Sequence, residues 1–146
     1  MKLTIKLLAM LTLLISTLAV TTYASEKNFG AYTIHYSAFS SDFLSPPVAK
    51  SYGIQRSKNR AILNVTITKE GEAGQRTPVE ANISSKAFNV YQQSKPLTMR
   101  KIEEKDAIYY IAEFPVANEE LINFKIDAQD NTSQIGSVSF QQQFFH

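Results

Sequence analysis

The chain has 146 residues, 15 lysines and arginines against 13 aspartates and glutamates, two histidines and no cysteine. That inventory excludes a disulfide framework, a thiolate metal site and a cysteine nucleophile. Lys2 and Lys6 lie in the first stretch, ahead of every acidic residue, so the chain from Ser25 onward holds 13 basic and 13 acidic residues and is neutral. A neutral balance argues against nucleic acid as partner, because binding by counterion release needs an excess of cations.

Lys2 and Lys6 precede an uncharged run from Leu7 to Val20, and small residues stand at Thr22 and Ala24. This is the pattern of a secretory signal peptide over residues 1–24, cut after Ala24. The 14-residue run is shorter than the ~18 residues that span a bilayer. Without a cysteine at the cut there is no lipid anchor of the bacterial lipoprotein kind, so a soluble exported domain over residues 25–146 with no transmembrane anchor is expected. About 120 residues suffice for one core burying roughly two thirds of the unfolded surface.

Tyr32 to Phe39 alternates and predicts a first strand. Ser45 to Gly53 reads as a one- to two-turn helix, with Ser45 as N-cap, Pro46 in the first turn and Gly53 past the end. Val48 and Tyr52, at i and i+4, would pin it to a sheet edge. A basic connector, Ile54 to Arg60, leads into Ala61, Leu63, Val65 and Ile67, the second strand. Glu70 to Pro78 carries two glycines and a proline and reads as a loop. Val79 to Ile83 and Ala87 to Gln92 read as third and fourth strands. Leu97 to Phe114 has two alternating arms about a charged turn and predicts a hairpin, with Ile108, Tyr110, Ala112 and Phe114 on one apolar face. Ile122 to Ala128 and Gly136 to Phe144 complete the set, separated by a turn at Asp130 to Thr132.

Seven to eight short strands with one short helix predict an all-β fold, an immunoglobulin-like antiparallel β-sandwich. An up-and-down barrel is the alternative.

Few groups suit catalysis. His35 sits mid-strand among polar neighbours and His146 is the last residue, so no Ser-His-Asp arrangement is indicated and a non-enzymatic protein is expected. Two histidines and Met99 do not make a transition-metal site, and no cofactor is implied. Glu103, Glu104 and Asp106 flank Lys105 and lack the spacing of a calcium loop. Asn64, Asn82 and Asn131 begin chance glycosylation sequons. Tyr109 and Tyr110 face opposite ways, and a half-buried strand tyrosine is expected there, with exposure of one of the two for binding as the alternative. The sharper candidate is Lys50, Tyr52, Arg56, Lys58 and Arg60, four cations and an aromatic without an acid between them. It suits an anionic partner, a periplasmic protein or an envelope component. A small-molecule or lipid carrier is the alternative, which a barrel with an apolar interior would permit.

The segments SYGIQRSKNRAILNVTI (51–67), EKDAIYYIAEF (104–114) and FQQQFF (140–145) together resemble domain-of-unknown-function family 4426, small periplasmic proteins of Gram-negative bacteria. The resemblance implies an immunoglobulin-like β fold and a periplasmic address. It brings no activity and no site residues.

Overall fold

In a computed structural model, residues 24–146 are described; the stretch read above as a signal peptide lies, but for Ala24, outside the described residues. The strands are β1 (Ser25–Phe29), β2 (Tyr32–Ser40), β3 (Arg60–Glu70), β4 (Arg76–Pro78), β5 (Asn82–Asn89), β6 (Ser94–Lys95), β7 (Arg100–Glu104), β8 (Ala107–Pro115), β9 (Glu120–Gln129) and β10 (Gln134–Phe144), with one helix, α1 (Pro46–Ser51). All pairings are antiparallel. One sheet runs β1-β2-β3-β8-β7, with β4 also on β3; the other runs β10-β9-β5-β6.

This order is the immunoglobulin one. Taking β2, β3, β5, β6, β7, β8, β9 and β10 as A, B, C, C′, D, E, F and G, the first sheet contains A-B-E-D and the second G-F-C-C′. The barrel alternative is not what forms, since two separate sheets enclose a filled core. Among the described residues there are ten strands where about seven to eight were expected. The segments 79–83 and 87–92 are not two strands: Asn82 to Asn89 is one, because the polar stretch Ser84-Ser85-Lys86 keeps strand register. The extra strands β1, β4 and β6 are short edge pieces. β4 forms inside the segment read as a loop.

Alternation explains the core. Ile34 and Ala38 of β2, Ala61, Leu63, Val65 and Ile67 of β3, Tyr110 and Phe114 of β8, and Ile122, Phe124, Ile126 and Ala128 of β9 all point between the sheets and are buried. An aromatic chain crosses this space. Tyr36 meets Phe140 at 4.8 Å, Phe140 stacks on Phe124 at 4.7 Å, and Phe114 contacts Phe124 and Phe144 edge-on at 5.6 and 5.9 Å. The sheets approach each other where Phe29 of β1 lies against Gly136 of β10, so closely that a Cβ at Gly136 would overlap the ring. Met99 packs on the same core, as a filler.

β3 and β8 bury their other faces as well. Ile62 and Ile111 turn outward and form a second cluster with Ala49 and Ile54. Helix α1 therefore lies on the outer face of the six-stranded sheet, where it buries Ala49, and only Tyr52 at its end reaches the edge strand β7. Val48 is 38 % exposed. The reason lies in the sheet: Ile62 and Ile111 are apolar where strand alternation would place polar residues, and they need a cover.

Candidate functional site

The segment from Ser41 to Arg60 crosses the outer face of the six-stranded sheet and carries all five basic-patch residues. Its path is fixed by polar ties. Ser41, fully buried, shares its hydroxyl proton between the carbonyls of Gln55 (2.8 Å) and Ser57 (3.1 Å) and accepts the Ser57 N–H (2.9 Å). Pro46 opens α1 at a position whose N–H has no helical partner anyway. Gly53, at φ +63°, reverses the chain after it. Arg100 of β7 donates to the Tyr52 carbonyl at 2.7 Å, placing a cation at the helix C-terminus. The Tyr52 hydroxyl donates to Glu104. That bond, then partial burial and the Glu104 charge, push the phenol up to about 12, so it stays neutral.

The five predicted residues thus divide. Tyr52 ties α1 to β7. Arg56 donates to the Asp42 carbonyl at 2.8 Å, and Arg60 pairs with Glu113 at 3.4 Å, which Arg100 also reaches at 3.5 Å. These three brace the segment. Lys50 and Lys58 are exposed, and among the described residues neither has an acid within ion-pair distance.

Between the segment and the sheet lies an open cleft of about 240 Å³. Its walls are Phe39 of β2, Ile62 and Asn64 of β3, Tyr109 and Ile111 of β8, and Leu44, Val48, Tyr52 and Ile54 of the crossing segment. It is mostly apolar, with polar atoms from Asn64 and the Tyr52 and Tyr109 hydroxyls; the Asn64 Oδ1 is buried with no hydrogen-bond partner among the described residues, an acceptor left for a donor. The sequence singled out Val48, Tyr52 and Tyr109 separately but missed the cleft they share. The available signal was the apolar pair Ile62 and Ile111 on the outward register.

The other candidates do not converge. His35 lies on the outer sheet face, 2.9 Å from the Thr68 hydroxyl and 3.3 Å from Glu26, which also pairs with Arg76. Glu103 pairs with Lys101 at 2.6 Å and Glu104 accepts the Tyr52 hydroxyl, while Asp106 is exposed, so the turn acids do not converge on one point. Tyr110 is buried and Tyr109 half-buried in the cleft wall; neither is free on the surface. Among the described residues no three of His, Cys, Asp and Glu come together to hold a metal, and no helix is long and apolar enough to cross a membrane.

The topology defines an immunoglobulin-like β-sandwich with one covered outer face. Residues 26–146 match the profile of the domain of unknown function DUF4426, and the chain belongs to that family. It is similar to the crystal structure of a DUF4426 family protein from Pseudomonas aeruginosa PAO1, at 32% identity over 83% of this chain and 94% of that one, with a TM-score of 0.70. Two structures of FetP from uropathogenic Escherichia coli strain F11 share the fold. The copper-bound variant is 12% identical over 83% of this chain and 94% of that one. FetP as isolated after periplasmic expression is 13% identical over 84% and 93%, and both have a TM-score of 0.54. No curated protein matches the sequence.

Proposed function

We propose that the protein is an exported, non-enzymatic binding domain of the periplasm whose crossing segment engages an anionic, lipid-like component of the envelope. The observation that carries this reading is the pairing of two features on one segment: an open, mostly apolar cleft, and two exposed lysines without acidic partners among the described residues. The cleft takes an apolar tail, and Lys50 and Lys58 face the anionic head. The shortage of histidine, the absence of cysteine and the lack of converging carboxylates among the described residues support a binding role over catalysis.

Cosedimentation with vesicles tests it. The protein is expected to pellet with phosphatidylglycerol vesicles and stay in solution with phosphatidylcholine ones, and the double variant Lys50→Glu, Lys58→Glu is expected to stay in solution with both. Equal retention on both lipids, or on neither, overturns the proposal.

A further inference from the structure

The outer face of the second sheet, opposite the crossing segment, is uncovered by any helix among the described residues. There the register sets Lys86 of β5 directly opposite Lys125 of β9, and Lys125 directly opposite Ser139 of β10. The neighbouring row is Phe88, Asn123 and Gln141, in the same strand order. These six residues, with Phe124 and Phe140 of the core beneath them, line a shallow depression of about 330 Å³. At ordinary sheet spacings they cover about 10 Å across the strands and about 7 Å along them, the footprint of a pyranose ring and part of its neighbour.

The two rows differ in chemistry. Cross-strand partners hold their Cβ atoms about 4.5–5.5 Å apart, so two opposed lysines repel unless an anion lies between them. Only one of them has an acid within reach: Asp127 is 3.9 Å from Lys125, at the outer limit of an ion pair, and it also accepts the Ser137 hydroxyl at 2.6 Å. Lys86 has none among the described residues. In the second row Gln141 donates to Asn123 at 2.6 Å. That bond fixes both amides, leaving the Asn123 nitrogen only a long 3.4 Å bond to the Phe88 carbonyl. The Phe88 ring is half-buried beside them.

We propose that this array is a binding site for an acidic saccharide. The carboxylate sits between Lys86 and Lys125, the ring hydroxyls exchange hydrogen bonds with Ser139, Asn123 and Gln141, and the apolar face of the sugar lies on Phe88. The sheet presents these groups rigidly, which lowers the ordering cost of binding.

Titration of the purified protein with trigalacturonate, followed by amide NMR, tests the site. Shifts are expected at residues 84–88, 123–127 and 137–141. They should be absent with maltotriose, and the double variant Lys86→Ser, Lys125→Ser should bind about tenfold or more weakly with the rest of its spectrum unchanged. Phe88→Ala should weaken trigalacturonate but leave the weak response to inorganic phosphate unaltered. Equal shifts from phosphate at the same concentration would reduce the site to a simple anion contact and overturn the saccharide assignment. So would equal shifts from maltotriose, or no shift in these strands at millimolar trigalacturonate.

Discussion

The phenol oxygen of Tyr110 accepts the backbone N–H of Ala81 at 2.8 Å, in a buried position between the two sheets. Tyr110 belongs to β8 and Ala81 immediately precedes β5, so the bond fastens the point where the chain leaves one sheet for the other. Replacing Tyr110 by Phe keeps the ring and removes the acceptor that this amide has among the described residues. An unsatisfied buried donor costs about 1–3 kcal/mol. Urea unfolding of Tyr110→Phe is expected to show that loss at an unchanged m-value; a midpoint equal to the parent's would show that water replaces the phenol.

Gly136→Ala places a methyl where the Phe29 ring now stands. Since β1 carries Phe29 and is only five residues long, the relief is displacement of β1, and overpacking of this kind costs roughly 1–3 kcal/mol. Combining it with Phe29→Ala should be less destabilising than the sum of the two single changes, because the clash disappears with the ring. A thermal-denaturation cycle showing simple additivity would refute direct contact.

Stability should fall in acid through two carboxylates. Asp130 accepts the N–H groups of Thr132 and Ser133, the Thr132 hydroxyl and the Tyr32 hydroxyl, which together hold it well below the usual aspartate range. Burial alone would raise the Glu120 carboxyl, but Lys95 at 2.6 Å and the Ala117 N–H outweigh it and lower it. Both groups therefore protonate in the unfolded chain before the folded one. Their contribution is complete above the ordinary carboxylate values of 4.5 and 3.8 and is lost as pH drops below them toward the depressed folded values. Unfolding midpoints at pH 7 and pH 3 should differ less for Asp130→Asn than for the parent.

Ser41→Ala removes the hydroxyl that fixes Gln55 and Ser57. The expected outcome is a loss of about 1–3 kcal/mol together with faster amide exchange at residues 54–58, while the β9 amides stay protected. Uniform loss of protection would contradict a local role.

What could be read in the chain follows from where each signal resides. β3, β8 and β9 are legible because their inward residues alternate, and the additional apolar Ile62 and Ile111 mark the two strands covered on both faces. β1 has the sequence SEKNF, without alternation, because four of its five residues are exposed and its task is to close an edge with Phe29. The basic patch is a cluster in sequence but not in action. Arg60 answers to Glu113, 53 residues away, and Tyr52 to Glu104, 52 away. Lys86 and Lys125 are invisible as a pair until strand register is known.

The two apolar clusters make the molecule a two-tier structure. The large one locks the sheets together, while the small one, Ala49, Ile54, Ile62 and Ile111, secures only a flap of about twenty residues. If the crossing segment binds as proposed, a flap held by the smaller cluster would open at a lower free energy than the sandwich, and a guest beneath α1 would come and go without melting it.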